Sequence, residues 1–104
     1  MANELFIGAD MAESLEGLSA GGSYLNSASV SYALKDEAGT TITGGTGSYA
    51  YTADSDGDYT ATIESTVTSL LTEGVKYWLW VTISSGGYND LRRLPRYARY
   101  RTKG

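Results

Sequence analysis

Val75-Lys76-Tyr77-Trp78-Leu79-Trp80-Val81-Thr82-Ile83 is the stretch that decides the fold. Val75, Tyr77, Leu79, Val81 and Ile83 alternate with Lys76, Trp78, Trp80 and Thr82. A period of two is the pattern of a β-strand with one buried face, and β-branched and aromatic residues suit that pleated surface. The first set is wholly apolar, so it belongs inside. The second set then points outward and carries both of the chain's tryptophans.

The same period recurs on either side. Ala28, Val30, Tyr32 and Leu34 alternate with Ser27, Ser29, Ser31 and Ala33. Lys35–Gly39 is a turn in which Gly39 supplies positive φ. Thr40–Thr43 is a short strand, broken by Gly44-Gly45-Thr46-Gly47, and Ser48–Ala53 extends again with Tyr49 and Tyr51 on one face. Asp54-Ser55-Asp56-Gly57 ends in the Asp-Gly pair of tight hairpins. Tyr59, Ala61 and Ile63 share a face against Thr60, Thr62 and Glu64, and Ser65–Gly74 is a loop carrying Val67, Leu70 and Leu71. After the turn Ser84–Gly87 a last strand lies within Leu91–Arg101, where Pro95 marks an edge or a bulge because it cannot donate to a ladder. At the N-terminus, Leu5–Ile7 reads as a first strand. Asp10 and Glu13 have capping-box spacing, Met11, Leu15 and Leu18 share a helical face, and Gly17 would end such a helix. The expectation over residues 1–25 is one short helix of barely two turns, with a strand as the alternative.

About seven short strands with turns every 8–12 residues predict an all-β sandwich, with a small barrel as the alternative. The 104 residues fit one domain, 1–104, at ~100–200 residues per domain. The 13 glycines, single proline and 9 tyrosines are the composition of a strand-rich chain with many turns. The N-terminal apolar run stops after Leu5, Phe6 and Ile7, so no export signal is expected, and no stretch approaches the ~20 apolar residues of a membrane span.

With no histidine and no cysteine, thiolate zinc sites, cysteine nucleophiles and histidine-based triads are excluded. Carboxylate pairs of the glycosidase kind need a cleft that strands this short do not predict. The glycine pairs 21–22, 44–45 and 86–87 lack the Gly-Lys-Ser/Thr ending of a phosphate loop and read as turns. No enzyme and no cofactor are expected. Asp54, Asp56 and Asp58 place three hard oxygen ligands in five residues, a calcium candidate. The EF-hand pattern fails there, since Gly57 is not at the sixth position and Ser65 stands where the bidentate Glu belongs, so a polar hairpin turn is the simpler reading.

Charge divides the chain. All 12 acids lie between Glu4 and Asp90, offset there by Lys35 and Lys76 alone, a net of −10. From Leu91 onward Arg92, Arg93, Arg96, Arg99, Arg101 and Lys103 meet no acid, a net of +6. These arginines either pair with acids of the same domain or meet an acidic surface of a neighbour. Nucleic acid is the weaker reading, because so acidic a body repels phosphate. Trp78 and Trp80 side by side form an apolar patch of a kind that monomers seldom leave bare. Three covers are open: another chain, the N-terminal segment or C-terminal tail, and a sugar ring.

Leu71-Thr72-Glu73-Gly74-Val75-Lys76-Tyr77 has the spacing Leu-x-x-Gly-x-x-Tyr before the strongest strand. It resembles the tyrosine corner of immunoglobulin-like and fibronectin type III-like sandwiches, in which a Tyr hydroxyl bonds upstream backbone. The chain departs from antibody domains in lacking the Cys pair. It also lacks the Trp usual on the second strand of fibronectin-type domains, a space Tyr32 is expected to fill. Gly8-x-Asp10, Leu25–Asp36 with Gly39, Gly57-Asp58-Tyr59, Gly74-x-x-Tyr77 and Tyr97-Ala98-Arg99-Tyr100-Arg101 resemble, across most of the chain, the Ig-like modules of tailed-bacteriophage virion proteins. The resemblance implies a non-enzymatic role in the virion, as capsid decoration or a head or tail accessory component. It would be made in the host cytoplasm, with other virion proteins or copies of itself as partners and no membrane or nucleic acid. Trp78, Trp80, Arg92, Arg93, Arg96, Arg99 and Arg101 are the expected interface, and Leu71, Gly74 and Tyr77 the structural corner. A carbohydrate- or receptor-binding module is the alternative.

Overall fold

The computed structural model describes residues 4–101, so Lys103 lies outside the described residues. The strands are β1 (Glu4–Phe6), β2 (Met11–Leu15), β3 (Ser19–Ala20), β4 (Ser23–Tyr24), β5 (Ser29–Lys35) and β6 (Thr41–Ser48). They continue as β7 (Ala50–Tyr51), β8 (Tyr59–Ile63), β9 (Lys76–Ser85) and β10 (Tyr88–Arg99), with one helix, α1 (Ser65–Thr68), between β8 and β9. A five-stranded sheet runs β1-β10-β9-β5-β6 and a three-stranded sheet runs β2-β8-β7, while β3 and β4 form a small hairpin. Every pairing is antiparallel except β1 with β10. The chain is an all-β, immunoglobulin-like sandwich: β2, β8 and β7 stand in one sheet, and β5, β9 and β10 in the other, as strands B, E, D and C, F, G do in that fold.

The period-two reading decides what lies between the sheets. Tyr77, Leu79, Val81 and Ile83 of β9 are buried against Val30 and Leu34 of β5 and against Tyr59, Ala61 and Ile63 of β8. Val75 falls outside β9 and is exposed. The N-terminal helix is not formed. Met11–Leu15 is strand β2, paired residue for residue with β8 from Met11↔Ile63 to Leu15↔Tyr59. Two turns of helix would bury one stripe and leave β8 with an open edge, whereas the strand satisfies the backbone of β8 and still buries Leu15. The one helix among the described residues lies instead in Ser65–Gly74, where Thr68 is fully buried, donates to Ala9 O at 2.8 Å and accepts from Gly8 N–H at 3.1 Å.

The Gly44-Gly45 pair is not a turn either, since β6 runs through it. Ala33 pairs with Thr46 and Lys35 with Thr41, so the segment between bulges out of register. A Cβ on Gly47 would stand 2.7 Å from the Tyr32 hydroxyl, so the bare glycine lets the Tyr32 ring lie across the strand. That ring meets Tyr49 edge-on at 5.9 Å, and its hydroxyl reaches Thr62 O on the opposite sheet at 3.3 Å. The last strand begins at Tyr88, earlier than the alternation indicates. Pro95 lies where β10 has no partner on its far side, because β1 pairs only with Tyr97–Arg99.

The corner forms as its spacing implies. The Tyr77 hydroxyl accepts from Thr72 N–H at 2.9 Å, Leu71 is buried, and Gly74 reverses the chain at φ 83 while its N–H donates to Ala98 O at 2.9 Å. A second tyrosine does the same at the other end. The Tyr59 hydroxyl donates to Leu25 O at 2.7 Å and accepts from Ala28 N–H at 2.9 Å, tying the long β2–β5 connection to β8.

Candidate functional site

Because β9 turns its apolar row inward, Lys76, Trp78, Trp80 and Thr82 stand on the outer face of the five-stranded sheet. Register supplies their neighbours: Trp80 lies between Ala33 and Arg93, and Trp78 between Lys35 and Pro95. Ala33 and Pro95 are short, which leaves the indoles open to longer side chains from the next positions along. Lys35 Nζ stands 4.5 Å from the Trp80 ring centroid and Lys76 Nζ stands 4.3 Å from that of Trp78. Arg93 bridges the two indoles, its Cζ 5.4 Å from Trp78 and 5.0 Å from Trp80. Each such contact is worth about 0.5–1 kcal/mol at an exposed site. The tryptophans are therefore half-buried under cations of their own sheet. Of the N-terminal segment, Met11 and Leu15 belong to β2 in the other sheet and Leu18 to the core, so none of the three covers the indoles.

The face continues toward β1. Arg101 Cζ lies 4.2 Å from the Phe6 ring centroid, and Arg99 Nη1 meets Glu4 Oε2 at 2.6 Å. Leu91 and Tyr97 on the same outward row of β10 are exposed. Lys35, Lys76, Arg93 and Arg101 have no carboxylate partner among the described residues; their company is aromatic.

Two expected interface arginines leave this face, and the alternation of β10 is the reason. Arg92 pairs opposite the buried Val81, on the inward row, and its Nε meets Asp90 Oδ2 at 3.1 Å. Arg96 pairs opposite Tyr77 and is buried between the sheets. There its Nε and Nη2 donate to the two oxygens of Glu13 at 2.9 and 2.7 Å, and Nη1 donates to Pro95 O at 2.8 Å. The hydrogen bonds to Glu13 hold the guanidinium above its usual basicity, although burial works the other way. Beside this pair the Tyr49 hydroxyl is buried with no hydrogen-bond partner. Burial first, and then the Glu13 carboxylate, push its proton affinity well above the tyrosine norm. Reading β10 with its true period from Tyr88 separates Arg93 and Arg99 from Arg92 and Arg96, and Arg101 lies beyond the strand, over Phe6. Composition alone pooled them.

The aspartate turn is a structural hairpin. Asp58 Oδ1 accepts from Gly17 N–H at 2.9 Å, and Asp54 sits in left-handed backbone at φ 63. Among the described residues no three carboxylates converge closely enough to hold a metal ion. No helix of the described residues is long and apolar enough to cross a membrane.

What the fold and the face define is a class: an immunoglobulin-like sandwich that presents a basic, aromatic sheet face. No protein-family model, no curated protein and no solved structure matches the chain.

Proposed function

We propose that this chain is a non-enzymatic structural protein of a tailed-bacteriophage particle, a capsid decoration or head or tail accessory component that works by protein–protein docking. It would be made in the host cytoplasm and reside in the virion, with other virion proteins or copies of itself as partners. The observation that supports docking is the outer face of the five-stranded sheet, where Trp78 and Trp80 lie under Lys35, Lys76 and Arg93. Tryptophan and arginine dominate binding hot spots, because a partner that closes over them buries large apolar area and desolvates the charge at once. The four cations without carboxylate partners among the described residues favour an acidic partner surface. Stacking a sugar needs a bare indole face, and here the cations occupy it, which favours docking over the carbohydrate reading.

Phage particles released by the strain that encodes the chain, purified and probed with an antibody against it, test the reading. Labelling of intact particles in a fixed copy number is expected. Particles free of the chain, with the protein left in the lysate, would sink it.

A further inference from the structure

We propose that the occupant of the basic, aromatic face is a second copy of this chain, which docks through the acidic corner built by Glu16 and the β7–β8 turn. The inference rests on the docking reading above and names its partner.

The corner is acidic and rigid. Glu16, Asp54 and Asp56 are exposed there, and none has a cationic partner among the described residues. The turn is held from several sides. Leu18 N–H donates to Gly57 O at 2.9 Å, Gly57 N–H donates to Asn26 Oδ1 at 2.8 Å, and Thr52 N–H donates to Asp58 O at 2.8 Å. A Cβ on Gly57 would lie 2.4 Å from Leu18 O, so the turn is pressed against the segment that follows Glu16. The carboxylates are thus presented on a fixed backbone, and little ordering entropy remains to be lost on docking.

Corner and face cannot meet within one copy. Asn26 ties the turn to the end of the sandwich where β5 begins, whereas Lys35 ends β5 and Lys76 opens β9 beside it. Six residue steps along β5 separate those ends by about 20 Å, more than two Debye lengths in physiological salt. The two surfaces also belong to different sheets. Each copy therefore carries, among the described residues, an acidic corner and a basic face that do not pair with each other, and a second molecule can satisfy both. Face against face would oppose cations to cations, which disfavours a two-fold dimer. Corner on face is a head-to-tail contact, which closes into a ring or propagates along a lattice. The face is large enough: its 40 strand residues, at about 3.3 Å each along strands about 4.8 Å apart, cover roughly 630 Å², within the range a standard interface buries per partner.

The test is the native mass of the full chain by light scattering, across concentration, in about 0.01 M and about 1 M salt, where the Debye length falls from about 30 to about 3 Å. Two variants accompany it, Asp54→Asn/Asp56→Asn and Lys35→Gln/Arg93→Gln. Asn tolerates the left-handed backbone at position 54, so the first variant keeps the turn. The parent is expected to exceed one chain in low salt and to fall to one chain in high salt. Each variant alone is expected to stay at one chain. Their equal mixture is expected to form a one-to-one pair and stop, since one intact face meets one intact corner. A parent that is a single chain at every concentration in low salt overturns the proposal. So does a corner variant that still self-associates. If the face variant is lost from particles while the corner variant is incorporated like the parent, the face docks on a different virion protein. That result overturns the second copy as occupant and leaves the proposed function standing.

Discussion

Arg96→Met puts the buried ion pair to a quantitative test. Arg96 and Glu13 are each 8% exposed, and the guanidinium spans both carboxylate oxygens at 2.9 and 2.7 Å. On the surface such a pair would be worth at most about 1 kcal/mol. Here the methionine leaves the Glu13 carboxylate between the sheets with no cation, and stability is expected to fall by about 3–5 kcal/mol. That is a large part of the ~5–15 kcal/mol a domain of this kind possesses. Urea unfolding followed by the emission of Trp78 and Trp80 reads it directly. With a slope of about 1–3 kcal/mol per molar, the midpoint should drop by more than about 1 M. Arg96→Lys keeps the charge and loses the forked geometry, so it should fall between the two. Glu13→Leu combined with Arg96→Met removes both charges and should recover to within about 1 kcal/mol of the parent or exceed it. If the single methionine variant unfolds within about 1 kcal/mol of the parent, the pair is not desolvated as its burial implies. If the double variant is no better than the single, the loss comes from packing between the sheets and not from a stranded charge.

Tyr49→Phe deletes a buried hydroxyl that bonds nothing, so thermal unfolding should show a stability equal to the parent or higher by up to about 1 kcal/mol. The same hydroxyl holds its proton above the ordinary tyrosine value of 10.0. Stability from this group is therefore complete below about pH 10 and lost above it, by about 1.4 kcal/mol per pH unit. A pH series should show a shallower alkaline decline in Tyr49→Phe, and an unchanged slope would refute the assignment. Tyr59→Phe strands Leu25 O and Ala28 N–H and should cost about 1–3 kcal/mol in urea unfolding. Gly57→Ala forces a side chain into left-handed backbone at φ 75 and against Leu18 O, and calorimetry should show a loss of at least about 2 kcal/mol.

Local pattern suffices for the strands whose two faces differ in kind. In β5 and β8 alternate residues are apolar and polar, and in β9 Lys76 and Thr82 bracket the tryptophans on the outer row, so local pattern and tertiary burial agree for the inward rows except at Val75, which lies outside β9 and is exposed. The corner at Leu71, Gly74 and Tyr77 was equally legible, because a ring, a reversal and a plug are each supplied by one residue type. Trp78 and Trp80 were placed on the outer face by the same alternation. Met11–Leu18 carried two periods at once, and only the unpaired edge of β8 selected the strand. The glycines of β6 read as a break because the ring that needs their bareness, Tyr32, belongs to the neighbouring strand. The basic run after Leu91 was visible as charge, but charge has no direction. Which arginines cap tryptophans and which one crosses to Glu13 depends on the register of β10 against β9 and on the acid the opposite sheet presents there. Such side chains meet across long separations in sequence, 83 residues for Glu13 and Arg96, so no local pattern contains them and only the packing of the two sheets decides them.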